Sequence, residues 1–437
     1  MKKVLSSTLV LIFVMVAASL AISAETTFEG EFRIQSWSEW NFDKKFNNIY
    51  DEQYDGWFEQ RFRLTVTHTR SEFLKAVVQL DLVEDTWGQG RSMYIDNDNT
   101  GEYINWAYLD FTVPEIGRFR VGKFPVTWGH GLIFSQEHPG VDGVEWSRDW
   151  GKIATTVLYW KYADPVTFGP TDPFYNRDAD LIALHISYTP NDNHLIELYG
   201  GYFHFHYFDT GFAGLAYTGN IADMIDIKFE GGYLWGKIYD LSEDIEGYSI
   251  YADVSYYNDL FRLGLAFLMV SGDYKSDKQN FPHIWDEAFS WANIVGNDGG
   301  GINSVYSGVW WSGDYLENIT SLKLYFEICP MDKLTINAAV LYTWTTEKVG
   351  PTAFGFGHPA DWYSNHIGLT GWDDSSDFGW EVDLGFSYEI MEGLTFTFAG
   401  GVLFTGDAWD YDAGTTTRDH EEWGTIWSIS NTLLYEF

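Results

Sequence analysis

The stretch Trp380-Glu381-Val382-Asp383-Leu384-Gly385-Phe386-Ser387-Tyr388-Glu389 places apolar and polar residues in turn. Side chains alternate across a β-strand, so Trp380, Val382, Leu384, Phe386 and Tyr388 share one face and Glu381, Asp383, Ser387 and Glu389 the other. The pattern recurs along the chain. Phe28, Gly30, Phe32 and Ile34 alternate with Glu29, Glu31, Arg33 and Gln35, and Phe58, Phe62, Leu64 and Val66 with Glu59, Arg61, Arg63, Thr65 and Thr67. Leu74 to Leu82 and Leu394 to Phe404 continue it. Such runs exceed the usual globular strand of about 5–6 residues. They match the roughly 9–11 residues of a tilted strand crossing a bilayer.

The connections alternate in length. Short turns are read at Arg70–Ser71, Pro114–Gly117, Pro190–Asn193, Asn258–Asp259, Pro330–Lys333 and Met391–Gly393. Long acidic, Gly-rich loops are read at 41–55, 85–102, 127–140, 163–178, 272–317, 347–375 and 408–422. Short periplasmic turns facing long extracellular loops are the pattern of transmembrane barrels, which carry an even number of strands in bacterial single chains. Counting back from Phe437 predicts an all-β, transmembrane antiparallel β-barrel of about 18 strands, with 16 as the alternative count. The divisions within 141–162 and 207–222 decide between them.

Composition narrows the function. The 437 residues hold 63 acids against 26 bases, a formal net charge of −37. That excludes a nucleic-acid partner, which needs a basic footprint. Aromatic residues make up 19% of the chain and Pro only 11 positions, so an ordered fold is expected along its length. The single cysteine, Cys329, excludes an intramolecular disulfide framework and reads as a small filler in a short turn. Lys2 and Lys3, an apolar run from Leu9 to Ala18 and the small residues Ala21 and Ala24 form a secretory signal over 1–24. The barrel then occupies 25–437. No later run of roughly 18 apolar residues occurs, so a helical membrane protein is excluded.

Trp427, Ile429, Leu433, Tyr435 and Phe437 share one face of the last strand, and the chain ends on Phe437. This looks like the terminal strand of bacterial outer-membrane barrels, with Tyr435 and Phe437 as the signal read by the barrel assembly machinery. Arg118-Phe119-Arg120-Val121-Gly122-Lys123 through Trp128-Gly129, then Gly140-Val141-Asp142-Gly143-Val144, resembles outer-membrane porins of the broad alginate-export-like group. Leu263 to Asp273 and the 380–389 strand look similar too. The resemblance implies a porin-like conduit and does not imply alginate.

An inward set independently supports a water-filled pore, because barrels of about 16–18 strands are too wide for side chains to fill. The pore-lining candidates are Arg33, Arg61, Arg63, Lys75, Arg118, Arg120, Asp226, Glu230 and Asp253. Glu29, Glu327, Glu381 and Asp383 share their orientation. The bases cluster on the first five strands and Asp226, Glu230 and Asp253 lie across the ring. Two consequences stay open: a transverse field across the lumen, or mutual salt bridges. Trp57, Trp106, Tyr159, Trp160, Trp235 and Trp427 are read as interfacial girdles.

Other chemistry is sparse. Asp96 to Glu102 begins like a calcium loop, but Ala107 stands where the bidentate Glu belongs. His204 and His206 are a metal pair without a third ligand. No catalytic elbow or phosphate loop occurs, and no cofactor is implied. The leading expectation is an outer-membrane porin of a Gram-negative-type envelope, passing small hydrophilic solutes or ions by diffusion. Its partners would be outer-membrane lipid, the assembly machinery and those solutes, with a homotrimer as the candidate assembly. The alternatives are an export conduit for an anionic polysaccharide and a secreted, acidic carbohydrate-active enzyme. Acidic loops bearing Asp96, Asp98, Glu102, Asp273, Asp277, Asp286 and Glu287 predict a weak cation preference that fades with salt.

Overall fold

The computed structural model describes residues 24–40, 54–87, 103–163, 179–205, 208–238, 243–272, 278–279, 291–295, 318–349, 375–407 and 425–437. Within them the alternating runs become long antiparallel strands, each paired with its neighbours in sequence. These are β1 (Glu25–Trp40), β2 (Tyr54–Ser71), β3 (Leu74–Thr86), β4 (Tyr103–Val113), β5 (Gly117–Trp128), β6 (Phe134–Asp149), β7 (Ile153–Ala163), β8 (Ala179–Asn191) and β9 (His194–Phe205). They continue as β10 (Phe208–Ile221), β11 (Ile225–Ile238), β12 (Glu243–Tyr257) and β13 (Phe261–Val270). A two-residue strand, β14 (Lys278–Gln279), pairs in parallel with β12. The series ends with β15 (Thr320–Met331), β16 (Leu334–Val349), β17 (Ser375–Met391), β18 (Leu394–Thr405) and β19 (Thr425–Glu436).

β1 pairs with β19, which closes the sheet into an 18-strand antiparallel barrel with β14 outside the ring. Closure satisfies every edge strand and leaves no open ladder. At the seam Gly30 donates to the Phe437 carbonyl (2.9 Å) and Phe437 donates back (3.0 Å). The Phe437 ring lies over Gly30, where a Cβ would collide with it. Phe62 stacks on that ring at 6.4 Å and Tyr435 at 5.7 Å. No helix among the described residues is long and apolar enough to cross a membrane.

The ends of the barrel differ as the connection lengths predict. At one end, turns at Glu72–Phe73, Pro114–Ile116, Asp192–Asn193, Asn258–Leu260, Asp332–Lys333 and Glu392–Gly393 lie within two residues of those expected. Two further short turns, Trp150–Lys152 and Ala222–Met224, divide the ambiguous segments and raise the count to 18 rather than 16. One expected long loop is corrected: 127–140 is mostly strand, and only 129–133 separates β5 from β6.

The outward face is apolar and exposed, with Ile182 61%, Leu184 44%, Leu324 53%, Leu384 57% and Trp380 53% accessible. Tyr159, Trp235 and Trp427 join this surface. Three other girdle candidates turn inward: Trp57 stacks on the buried Trp37, Trp106 donates to the Glu137 carbonyl, and Trp160 is buried. They were assigned by residue type and place near strand ends rather than by face: Trp57 shares the parity of Arg61, and Tyr159 and Trp160 are adjacent, so only one of the two can face outward. Cys329 is likewise no filler, because it lies exposed on β15 with its sulfur 3.6 Å from the Thr335 hydroxyl.

Candidate channel lumen

The basic wall is built by β1, β2, β3 and β5. Arg61 donates through Nε to Glu31 (2.7 Å), and Arg63 to Asp81 (2.6 and 2.9 Å). Arg118 forks onto Asp110 (2.8 and 2.6 Å), which Lys75 also reaches at 3.2 Å. Arg120 forks onto Glu145 (2.8 and 2.5 Å), donates to the Pro125 carbonyl (3.0 Å) and lies 4.7 Å over the Phe124 ring. Arg33 stands opposite Arg61 in the β1–β2 ladder. Forked guanidinium–carboxylate geometry of this kind fixes both partners. Of the two open consequences, salt bridges are therefore present along this wall. The acids Asp110 and Glu145, absent from the inward set read from the sequence, supply three of the five pairs.

The facing wall uses its acids differently. Asp226 holds Arg262 (3.0 Å) and accepts from Asn220 (2.8 Å). Asp253 accepts the Tyr325 hydroxyl (2.9 and 3.0 Å) and that of Tyr251 (3.3 Å). Glu230, on β11, is fully buried and faces no solvent. It accepts the backbone N–H groups of His130 (2.6 Å), Leu132 (3.3 Å) and Ile133 (3.2 Å), and the Tyr199 hydroxyl.

Those donors belong to residues 129–133, which fold inward. Gly129 (φ 64°) and Gly131 (φ 83°) supply the left-handed conformations, and a Cβ on Gly129 would come within 2.9 Å of the Glu230 carboxylate. Leu132, Ile133 and Phe134 then pack against Phe212 and Leu234 on the lumen wall. Leu158 and Leu181 also point inward, so this part of the lumen holds a small apolar core where the sequence pattern predicts a polar face. Trp128 stacks on His185 at 5.4 Å beside it.

A second segment, 291–295, docks by the same device. Ile294 and Val295 donate backbone N–H groups to the two oxygens of Glu381 (2.7 and 3.0 Å), a buried residue of β17. Asn293 donates to Asp383 (3.4 Å) and to the Gly400 carbonyl (3.1 Å). Trp291 donates to Ser321 (2.9 Å), and Lys323 donates to the Trp291 carbonyl. Phe281, Trp285, Phe289 and Trp291 put too many apolar rings in 272–317 for a bare loop, and of these Trp291, within the described residues, is buried.

The two infolded segments reach the same residue. His130 meets Tyr251 edge-on at 5.7 Å, and Trp291 meets the same ring at 6.4 Å. Beside them is a cavity of about 350 Å³ lined by Asp253, Glu327, Asn337, Lys323 and Asp383. Its carboxylates outnumber its ammonium groups, so its lining is net acidic.

The remaining chemistry does not assemble into a site. His204 pairs with Asp209 at 2.5 Å on the outward face, and His206 lies outside the described residues, as do Asp96, Asp98, Glu102, Asp273, Asp277, Asp286 and Glu287. No group of three metal-ligating side chains occurs among the described residues. The anchoring roles of Glu230 and Glu381 were missed at sequence level, although Gly129-His130-Gly131 was a local signal for a tight turn.

The sequence matches no family model and no curated protein. The fold is similar to OccK5 (OpdH) of Pseudomonas aeruginosa, at 11% identity and a TM-score of 0.54 over 94% of this chain and 98% of that one. It is similar to OccD3 (OpdP) of Pseudomonas aeruginosa, at 13% identity and 0.56 over 94% and 91%. It also resembles OccAB4 of Acinetobacter baumannii, at 11% identity and 0.54 over 94% and 98%.

Proposed function

We propose that this protein is an outer-membrane porin, a water-filled channel through which small hydrophilic solutes or ions diffuse passively. One observation carries the reading: an 18-strand ring with an apolar outer face encloses charged side chains and a lumen narrowed by two docked segments. A ring of that size leaves an aqueous passage, and the exposed Leu, Ile, Val and Trp suit lipid. Its fold neighbours, outer-membrane porins, support the same location in a Gram-negative-type envelope. Residues 1–24 would direct export, and Tyr435 with Phe437 would present the strand read by the assembly machinery.

The passage should weakly prefer cations. The basic wall is matched by Glu31, Asp81, Asp110 and Glu145, while the cavity beside Tyr251 is net acidic. This pairing also weakens the polymer-export reading and its alginate-export-like grouping, since an anionic chain needs bases that are free to meet it. The enzyme reading finds no support in a barrel with so apolar an exterior.

Planar-bilayer recording across a potassium chloride gradient tests the proposal. The reversal potential should report potassium preference at 0.1 M salt, where the Debye length is about 10 Å, and fade toward 1 M, where it is about 3 Å. A protein without conductance would overturn the channel, and clear anion preference would overturn the selectivity.

A further inference from the structure

The outer surface carries a row of side chains in which basic and acidic residues alternate from strand to strand. Lys123 on β5 faces Asp142 on β6 at 3.9 Å. Extending the β6–β7 ladder one step past Gly143–Trp160 brings Asp142 beside Lys161. Lys161 then pairs with Asp180 (3.1 Å), Asp180 lies opposite His204, and His204 meets Asp209 (2.5 Å). Asp209 stands opposite Lys237, and Lys237 opposite Asp244. Tyr159, Val144 and Leu184 point the same way one or two rungs below, so the row faces the surroundings of the barrel rather than its lumen.

The row runs square to the strands, and strands in such barrels tilt by roughly 35–45°, so the row climbs through the wall. On β11 and β12 it lies on the outermost rungs, a natural place for charge at a membrane surface. On β5 and β6 it lies midway along the strands. Arg148 sits 4.1 Å over Trp150 at the short-turn end of β6, and Asp142 stands about 20 Å up that strand at roughly 3.3 Å per residue. At that tilt the rise along the membrane normal is about 15 Å, inside an apolar band about 25 Å tall. The Asp142 side chain is nevertheless 64% exposed. Across the barrel, β17 shows lipid Trp380, Val382, Leu384 and Tyr388 without interruption.

A carboxylate in the middle of the apolar band needs cover. Lipid headgroups lie too far out, and a soluble partner cannot enter the bilayer. We propose that the outward face of β5 and β6 is a self-association surface, where a second copy of this chain docks about a two-fold axis. The patch is self-complementary, as an isologous contact requires: Lys123 of one copy would meet Asp142 of the other. Ala107, opposite Lys123 in the β4–β5 ladder, leaves the two walls room to approach. Above the pair, Thr127 donates to Glu137 (2.7 Å), extending the polar strip toward the outer rim. The inference rests on the membrane location proposed above.

Photocrosslinking in intact outer membranes tests it, with p-benzoylphenylalanine placed at Val144 or, separately, at Leu384. Val144 should give a covalent homodimer and Leu384 only lipid adducts. Asp142→Asn, which keeps side-chain shape, should abolish the dimer adduct while the barrel keeps its heat-dependent gel mobility. The double exchange Lys123→Asp with Asp142→Lys should restore it. Lipid adducts alone at both positions, or a Val144 adduct to a different protein, would overturn the self-association surface and leave the porin intact. Failure of Leu384 to label lipid would overturn the membrane location itself.

Discussion

The two walls of the lumen handle charge in opposite ways. On β1–β6 the carboxylates Glu31, Asp81, Asp110 and Glu145 meet base side chains from neighbouring strands, as in Arg63–Asp81 and Arg120–Glu145. On β11 and β17 the buried carboxylates Glu230 and Glu381 meet backbone N–H groups of inward-folded segments. One wall is a self-contained mosaic of ion pairs, and removing a member changes local charge. The other is a set of hooks, and removing a member frees chain. In the proposed channel the same residue type would bear on selectivity on one side and on pore width on the other.

The sharpest way to break this contrast is Glu230→Ala. It strands three backbone donors and the Tyr199 hydroxyl, each costing about 1–3 kcal/mol when buried and unpaired. Residues 129–133 should leave the wall, and single-channel conductance should rise; an unchanged conductance would show that the hook is not needed. Arg63→Ala should come next, at about 3–5 kcal/mol, because Asp81 is fully buried and would lose its counter-charge. The loss should appear as a lower urea midpoint for the heat-sensitive folded band, with conductance retained by the folded fraction.

Selectivity gives a smaller effect. Arg61→Ser, Arg118→Ser and Arg120→Ser together should deepen the potassium preference at low salt, read as a larger reversal potential. Arg63 is left in place because its pair is structural. Arg118→Ala alone should be nearly silent in stability, about 0–1 kcal/mol, since its side chain is 48% exposed and Lys75 still reaches Asp110. A large loss there would show that the two walls are not distinct in kind.

The barrel and its handedness of inside and outside were legible from the sequence because period-two alternation is a property of single residues. The 380–389 stretch alone separates Glu381 and Asp383 from Leu384 and Phe386, and the structure keeps that division. The bases Arg61, Arg63, Arg118 and Arg120 fall on the inner face by the same alternation. Their partners were harder, because Asp110 and Glu145 become neighbours only once strand registers are set. The hooks were invisible for a stronger reason. A carboxylate on β11 and a backbone amide near position 130 are about a hundred residues apart, and every residue but proline carries an amide. Trp57, Trp106 and Trp160 were assigned to the membrane interfaces by residue type and position, which do not say which face of a strand a ring takes.

The seam between β1 and β19 sets the order of assembly. Ser36 receives a hydrogen bond from Asn431, 395 residues further along the chain, and Gly30 exchanges backbone hydrogen bonds with Phe437. Until β19 docks, β1 presents an edge with no mate, so the ring can be neither shut nor tested for fit. Neighbouring hairpins can form before that step, but none of them closes the ring. Closure joins two strands that are distant in the chain, so disrupting the Gly30–Phe437 contact should cost the whole ring rather than one hairpin.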